Sequence, residues 1–359
     1  MVLPRIPYTT PFPPPIISPA SAITLPGAVN ALTNFLESHN RTLLLTGAGI
    51  SVASGLSDYR GTQGTYRLNQ SYRPIFFHEF TSSHASRQRY WARSYLGYGS
   101  VAAAKPNTAH HAIKKLWDLG LSSGVLTQNV DSLHGWGKDM PVVELHGTLR
   151  DVICLGCGDK MERGTMQEMM AKLNPAWRKL KAGEMGDIKM NPDGDVDVPG
   201  VEYGKFRYPV CPHCAKRHAL KVDGDGAVTG QAEAKDLRGV LKPCVTFFGE
   251  SVGEDNKSRA EELVEDAKGV LVVGSSLATY SAWRLVKEAK RQGKGIAVVN
   301  IGGIRGEEEF RDGKSQWVRV EHSAQDVLKG VVERLGETVV EREAEMNNSD
   351  VMQGMGLAG

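Results

Sequence analysis

The sequence predicts an α/β fold, with a parallel sheet covered by helices on both faces and a small zinc-binding domain inserted into it. Short continuous apolar runs, such as residues 42–45, 269–273 and 296–299, alternate with helical stretches. This alternation is typical of parallel strands that are buried on both faces. Between residues 150 and 241 the apolar runs give way to Cys, Gly, Pro and Asp, which indicates the insertion. Functional residues should then gather beyond the carboxyl ends of the strands.

Composition narrows the class of protein. The chain has 359 residues, of which 41% are hydrophobic and 23% are charged, enough for a large domain with its own core and a small module. Its net charge is +2 and it has no strongly basic stripe, so we expect no nucleic-acid partner. No apolar run reaches the roughly 18 residues that a membrane-spanning helix needs, and we expect no membrane partner either.

The chain divides into parts of different composition. Residues 1–27 contain no acidic residue and many prolines, which favours a disordered or targeting segment. The sheet domain is predicted over residues 28–149 and 242–335, and the inserted domain over residues 150–241. Residues 336–359 are rich first in Glu and then in Asn, Ser, Met and Gly, as expected of a disordered tail.

A glycine-rich stretch, residues 46–51 (TGAGIS), follows the first predicted strand directly. Gly47 and Gly49 would let the backbone turn tightly and approach a pyrophosphate at the start of the next helix. The polar loop of residues 54–61 (SGLSDYRG) could then fold over a dinucleotide. Either stretch taken alone also fits a plain surface loop, and the acidic residue of an ordinary dehydrogenase fingerprint is not evident.

Polar residues also end several other predicted strands. Asn129 and Asp131 offer donors and acceptors that suit a ribose or a carboxamide, although Asn and Asp also favour plain turns. His146 suits general-base chemistry near neutral pH, whereas a lone histidine more often has a structural role. Small polar residues at 274–276 and 300–302 stand where a nucleotide could lie.

The cysteines predict a metal site. Four of the five form two Cys-x-x-Cys pairs, a spacing that fits a tetrahedral zinc ion bound by four thiolates in a reducing compartment. Four protein ligands leave no open coordination position, so the zinc would be structural. The fifth cysteine, Cys244, is interpreted as a small buried apolar residue. The predicted zinc ligands are Cys154, Cys157, Cys211 and Cys214.

Taken in order from about residue 31 to residue 328, these motifs resemble the sirtuin family. The matching stretches are GAGIS, SGLSDYRG, TQNVD, ELHG, the two Cys-x-x-Cys pairs, FFGE, GSSL and VNIG. The resemblance implies a Rossmann-like NAD-binding domain, a small domain with one structural zinc ion, and a cleft between them where NAD meets an acyl-lysine peptide. Within the family the chain is most similar to class II, near the mitochondrial sirtuin four, through residues 87–93, 173–177 and 192–196.

The resemblance implies an NAD-dependent protein-lysine deacylase that releases nicotinamide and O-acyl-ADP-ribose. His146 would be the general base that acts on the nicotinamide ribose, and Asn129 and Asp131 would position that ribose and the nicotinamide. The substrates would be acylated-lysine proteins. The residues implied to contact NAD are Gly47, Ala48, Gly49, Ser51, Asp58, Tyr59, Arg60, Gln128, Asn129, Val130, Asp131, Gly274, Ser275, Ser276, Asn300, Ile301, Gly302 and Ala324.

Tyr90 and Arg93 are implied to form the acyl pocket. Their i, i+3 spacing would place both on one face of a helix, and in the acid-preferring branch of the family such a pair reads a terminal carboxylate. We therefore hypothesise a preference for acidic acyl groups such as glutaryl, since an Arg fork suits a carboxylate. The alternative is that Arg93 pairs with a neighbouring acidic residue at the surface.

Other functions remain open on the sequence. Transfer of ADP-ribose to protein and lipoamidase activity would use the same site, whereas a non-enzymatic NAD-binding scaffold would not need the histidine. A zinc-dependent hydrolase fits least, because four thiolates close the metal site. We expect a monomer. The class II likeness and the acid-free start predict the mitochondrial matrix, with the cytoplasm or nucleus as the alternative.

Overall fold

The chain folds around two β-sheets, as seen in a computed structural model. The structure describes residues 9–69, 72–135, 139–178, 191–196, 201–229 and 236–337. Within these ranges no helix is both long enough and apolar enough to cross a membrane. The strands are β1 Thr42–Thr46, β2 Ser122–Thr127, β3 Val142–Glu144, β4 Gly147–Cys154, β5 Lys160–Glu162, β6 Leu241–Val245, β7 Gly269–Val273, β8 Gly295–Val299 and β9 Trp317–Val320.

The large sheet is parallel throughout and has the strand order β3-β2-β1-β7-β8-β9, which confirms the predicted α/β class. Strands β1, β2, β7 and β8 are buried along their whole length, which explains the apolar runs of β1, β7 and β8. The edge strand β9 was not predicted, because Arg319 interrupts its apolar pattern. The strand order reverses between β1 and β7, and ligands bind at such a switch point.

Helices cover both faces of the large sheet. In chain order, the helices of the described residues include α1 Leu25–Ser38, α2 Thr65–Leu68, α3 Phe77–Ser82, α4 His84–Ala103, α5 Thr108–Asp118, α6 Arg163–Leu173, α7 Pro212–Arg217, α8 Glu254–Asp266, α9 Tyr280–Arg291, α10 Glu307–Phe310 and α11 over residues 324–337. On one face, Leu44 of β1 belongs to a core with Phe35 of α1 and Ile113 of α5. Its neighbour Leu43 belongs to the core on the other face, with Leu285 of α9. The pleat of a strand, which points successive side chains to opposite faces, produces this division.

The small domain is built on an antiparallel sheet of β5, β4 and β6. Its core includes Cys154 and Met166 of the inserted segment together with Trp91 and Tyr95 of α4. Helix α4 lies in the segment predicted to belong to the large domain, so the small domain uses two parts of the chain rather than one. Residues 245–248 were predicted to be a strand of the large sheet, but the chain there leaves β6, which pairs with β4.

Residues 1–27 were predicted to be a disordered or targeting segment, and the part of it that the structure describes, residues 9–27, packs onto the fold. Ser18 forms an antiparallel bridge with Arg319 on the outer edge of β9, with backbone N–O distances of 3.1 and 2.6 Å. Ala22 is buried, and α1 begins at Leu25. Composition misled here because prolines deny the segment a regular helix, yet an extended segment can still pack along a sheet edge.

The predicted C-terminal tail is described only at its start. Helix α11 continues through residue 337, past the predicted boundary at residue 335. Its side chains Val331 and Leu335 belong to the core of the large sheet, so this helix is part of the folded domain. Residues 338–359, like residues 1–8, lie outside the described residues.

Candidate active site

The glycines of the predicted pyrophosphate loop lie at the switch point of the large sheet. Gly47 follows β1 and Gly274 follows β7, and the Gly49 N–H donates to the Gly274 carbonyl at 2.9 Å. A Cβ atom on Gly49 would lie 2.8 Å from that carbonyl oxygen. Only glycine lets the two loops approach so closely, and together they form a floor of bare backbone.

These loops open into a cleft of about 1440 Å³. Every residue that the resemblance implied to contact NAD lines this cleft, from the glycine loop through Asn129 to Ala324. His146 and Tyr90 line it as well. A dinucleotide and an acylated side chain therefore have room to meet in one place, surrounded by convergent polar groups.

Three buried polar side chains meet at the wall of the cleft. The Ser51 hydroxyl donates to Asp131 Oδ2 at 2.7 Å and accepts from Asn129 Nδ2 at 3.1 Å. The backbone N–H of Leu133 donates to Asp131 Oδ1 at 3.0 Å. Burial raises the pKa of the Asp131 carboxyl, and these hydrogen bonds oppose that rise. A network with these partners holds its polar atoms in fixed positions, ready to exchange hydrogen bonds with a ribose.

The hydrogen bonds of His146 fix its tautomer. Its Nδ1 lies 3.0 Å from the carbonyl oxygen of Gln128, and because a carbonyl can only accept, Nδ1 carries the hydrogen. Nε2 then accepts from the Ser281 hydroxyl at 2.8 Å. Burial lowers the pKa of His146, which keeps the imidazole neutral near pH 7. A neutral imidazole with its lone pair at Nε2 is what a general base requires.

The side chain of Gln128 connects the loops that follow β2 and β7. Its Nε2 donates to Ser275 Oγ at 2.6 Å, and Thr279 Oγ1 donates to its Oε1 at 3.0 Å. Both ends of the amide are therefore engaged. Gln128 thus holds the loop before α9 in place, in addition to lining the cleft.

The loop after β8 is held from beneath by Arg319, which is fully buried. Its Nη1 donates to the Asn300 carbonyl at 2.9 Å and its Nη2 to the Gly302 carbonyl at 2.5 Å. Its Nε contacts Glu307 at 3.1 Å. Burial lowers the pKa of Arg319, and Glu307 opposes that change. The backbone of the predicted nucleotide loop is therefore fixed by one paired guanidinium.

The predicted cofactor loop folds back on itself. Asp58 Oδ1 accepts from the Gly61 N–H at 3.1 Å, and burial raises the pKa of the Asp58 carboxyl. The Tyr59 ring stacks on Tyr66 with centroids 5.5 Å apart, and the Arg60 guanidinium lies 5.1 Å from the centre of the Tyr66 ring. Asp58, Tyr59 and Arg60 line the cleft from this position.

The four predicted zinc ligands come together, with their Sγ atoms all within 4.8 Å of one another. Cys154 and Cys214 are 3.7 Å apart, and Cys157 and Cys211 are 3.8 Å apart. Thiolates bound tetrahedrally at about 2.3 Å from zinc would be separated by about 3.8 Å, so the site fits this ion. None of these four described cysteines lines the cleft. The metal would tie β4 to α7 and support the small domain.

The two residues of the predicted acyl pocket differ in position. Tyr90 lines the cleft and packs against Phe247, with ring centroids 5.0 Å apart. Arg93 is fully buried and is absent from the described residues that line the cleft. Its Nη2 lies 3.0 Å from Asp195 Oδ2, and its Nε donates to the Val196 carbonyl at 3.1 Å. The alternative interpretation of Arg93, pairing with an acidic residue, fits this contact, although the pair is buried rather than at the surface.

Comparison with known proteins assigns this chain to one family. The Sir2 family model matches residues 47–281, a span that holds the glycine loop, His146 and all four cysteine ligands. The chain belongs to the Sir2 family. The sequence resemblance is therefore confirmed.

Named members of the Sir2 family match most of the chain. A Batrachochytrium dendrobatidis protein named NAD-dependent protein deacylase SIR4 is 42% identical over 295 residues, which are 79% of this chain and 89% of that protein. An NAD-dependent protein deacetylase of Bordetella bronchiseptica is 37% identical over 304 residues, covering 85% of this chain and 97% of that protein. One from Xanthomonas campestris is 39% identical over 287 residues, covering 80% and 86%.

Solved Sir2 structures share the fold. One, described as the structural basis for the mechanism and regulation of Sir2 enzymes, has a TM-score of 0.57 and 25% identity, covering 86% of this chain and 98% of its own. Another holds a deacetylated p53 peptide and 3′-O-acetyl-ADP-ribose, with a TM-score of 0.59 and 24% identity, covering 85% and 98%. Because the second structure is only 24% identical, the comparison with it shows a shared fold and nothing more.

Sequence reasoning missed several residues that line the cleft of this Sir2 protein. Ser281 contacts the His146 imidazole, but it looks like any polar residue at the start of a helix. Asp193 and Asp195 belong to a loop that was interpreted only as a class II marker. Phe12 comes from the segment predicted to be disordered or targeting. The excess of proline around Phe12 was the one available signal that this segment is extended.

Proposed function

We propose that this protein is an NAD-dependent protein deacylase, which transfers the acyl group of a modified lysine to ADP-ribose and releases nicotinamide. The observation that carries the proposal is His146, whose hydrogen bond to the Gln128 carbonyl leaves Nε2 free of hydrogen in the cleft. The network of Asn129 and Asp131 stands in the same cleft. Relatives named as deacylase or deacetylase, at 37% to 42% identity, support it.

The side chains of the cleft would each have a separate role in the reaction. NAD supplies the ADP-ribosyl group that accepts the acyl group. His146 would remove a proton from a ribose hydroxyl at Nε2 once the Ser281 hydroxyl, which donates to this nitrogen, turns away from it. The Gln128 carbonyl would support the charge that then develops on the ring. Asn129 and Asp131 would hold the ribose in place, which favours reaction by orienting the reacting atoms. The walls of the cleft would exclude water, which would otherwise compete with the acyl group.

The experiment is turnover of the full-length, zinc-loaded chain with NAD and a panel of acetyl-, glutaryl- and lipoyl-lysine peptides. We expect nicotinamide, free lysine peptide and acyl-ADP-ribose in equal amounts, and a rate lower by about 100-fold or more in His146→Ala. His78→Ala is the matched control, since His78 is exposed and outside the cleft. Equal nicotinamide release by His146→Ala and the wild type would overturn the assignment.

The same assay separates the related activities. With NAD labelled in its adenosine half, transfer of ADP-ribose to protein would leave the label on a polypeptide, whereas deacylation leaves it on a small molecule. Turnover confined to lipoyl-lysine would indicate a lipoamidase. Nicotinamide release without a deacylated peptide would count against deacylation.

We propose further that acyl selectivity is set by Tyr90 and by the Arg93–Asp195 pair. Tyr90 lines the cleft directly. Arg93 carries the charge that an acidic acyl group would need, but Asp195 already compensates it at 3.0 Å. A preference for glutaryl groups therefore stays a prediction, which requires Arg93 to exchange one carboxylate partner for another.

Location and assembly stay proposals too. The mitochondrial matrix is supported by the acid-free start of the chain and by the class II likeness. Imaging of the full-length chain with a tag at its C-terminal end tests it, and a cytoplasmic or nuclear signal would contradict it. We expect residues 9–27 to remain in the mature protein, because this segment packs onto the fold. Light scattering would test the predicted monomer.

A further inference from the structure

One end of the cleft is bounded by the segment that precedes α1. We call residues 11–18 the N-terminal arm. The arm is fixed at Ser18, which exchanges two backbone hydrogen bonds with Arg319 of β9. Beyond this anchor the arm crosses to the cleft, and the arm residues that line the cleft are Pro11, Phe12, Pro14 and Pro15.

The arm lies at the end of the cleft that is distant from the catalytic imidazole. His146 follows β3, whereas the loop of residues 300–303 follows β8. Four strand spacings separate β3 from β8 in the sheet, or about 19 Å. If the nicotinamide half of NAD lies at His146, as the proposed function requires, the adenosine half must extend toward residues 300–303.

The N-terminal arm packs directly against the loop of residues 300–303. Gly303 is buried, and a Cβ atom built on it would lie 2.0 Å from the Pro13 carbonyl oxygen and 2.9 Å from Phe12 Cβ. Arg319 holds both parts, since its side chain binds the Asn300 carbonyl and its backbone binds the arm. Loop and arm therefore form one continuous wall.

We propose that the N-terminal arm is the outer wall of the adenosine site, with Phe12 against the adenosine half of NAD. This inference rests on the proposed function for the direction in which NAD lies. Prolines suit such a wall because they lack N–H groups that would need partners away from water. The arm would then determine affinity for NAD and leave the chemical step at His146 unchanged.

The experiment uses the full-length chain and three variants. Phe12→Ala removes the aromatic surface, and Gly303→Ala displaces the arm, because a backbone oxygen occupies the space that its Cβ needs. Gly164→Ala is the matched control, since a Cβ there meets no atom within 4 Å. The readouts are calorimetric affinities for AMP and for nicotinamide mononucleotide, with KM for NAD and kcat measured separately.

We expect Phe12→Ala and Gly303→Ala to weaken AMP binding and to raise KM for NAD by between about 2-fold and 12-fold, the range of one aromatic contact. Affinity for nicotinamide mononucleotide and kcat should stay at the wild-type level, because a change in uniform binding moves KM alone. Gly164→Ala should match the wild type.

Two results would overturn the proposal. One is unchanged AMP affinity in both Phe12→Ala and Gly303→Ala. The other is an equal loss of AMP and nicotinamide mononucleotide binding, which would indicate damage to the whole cleft rather than loss of a local wall. A wild type that binds AMP through the arm but shows no NAD-dependent deacylation would contradict the proposed function alone.

Discussion

The Ser281 hydroxyl lies 2.8 Å from Nε2 of His146, at the nitrogen that the proposed chemistry uses. The opposite ring nitrogen donates to the Gln128 carbonyl, so the imidazole is held from both sides. Ser281 lies in the first turn of α9, which fixes its hydroxyl relative to the sheet. If His146 is the general base, as we propose, these contacts would make Ser281 a residue that positions it.

Replacement of Ser281 by Ala should therefore slow turnover. The lost hydrogen bond corresponds to about 0.5 to 1.5 kcal/mol, or a fall in kcat of between about 2-fold and 12-fold, with KM for NAD unchanged. The measurement is a pH–rate profile, which should keep an acid limb because His146 must be neutral to act. Ser281→Thr retains the hydroxyl and should restore the rate. Full activity in Ser281→Ala at every pH would contradict this role.

The pairing of Arg93 with Asp195 leads to a test of acyl selectivity. If Arg93 reads an acidic acyl group, Asp195→Asn should raise the ratio of glutaryl to acetyl turnover, because it removes the competing carboxylate. Arg93→Gln should lower the same ratio. The ratio is measured within each variant, so a loss of stability from breaking a buried ion pair, about 3 to 5 kcal/mol, affects both substrates alike. An identical ratio in the wild type and both variants would exclude Arg93 from acyl recognition.

Two buried histidines lead us to expect that the folded protein loses stability in acid. Burial lowers the pKa of His110 to about 4 and that of His134 to about 3, each further lowered by a neighbouring histidine. Their rings are 4.7 Å apart, and His134 Nε2 contacts Thr46 Oγ1 at 3.0 Å. Between these values and the ordinary 6.5, the unfolded chain binds more protons than the folded one. Stability is therefore complete above pH 6.5 and falls as the pH drops below it.

The measurement is the free energy of unfolding in denaturant between pH 7.5 and 4.5. Each neutral buried histidine contributes a slope of up to about 1.4 kcal/mol per pH unit. His134→Gln should remove its share of the slope, because it replaces the titrating imidazole with an amide. The same slope in His134→Gln and wild type would show that His134 takes no part.

The residues that could be predicted from sequence are those whose type is dictated locally. Gly49 must be glycine because the backbones of two loops meet there. The spacing of the two Cys-x-x-Cys pairs is enough to predict a zinc site. Phe12, Ser281 and Asp195 could not be predicted, because each acts through a contact with a residue far along the chain. Nothing in a local pattern reveals that the segment before α1 returns to the edge of β9.

The zinc site gives the last prediction, which concerns stability rather than chemistry. Purified protein should contain one zinc ion per chain, since four Sγ atoms lie at separations that suit a tetrahedral ion. Cys157→Ser should lose most of this zinc and melt at a lower temperature, because metal binding contributes to folding. The matched control is Cys244→Ser, which changes a cysteine outside the cluster. Full zinc content and an unchanged melting temperature in Cys157→Ser would remove Cys157 from the ligand set, and elemental analysis with thermal denaturation decides between the two results.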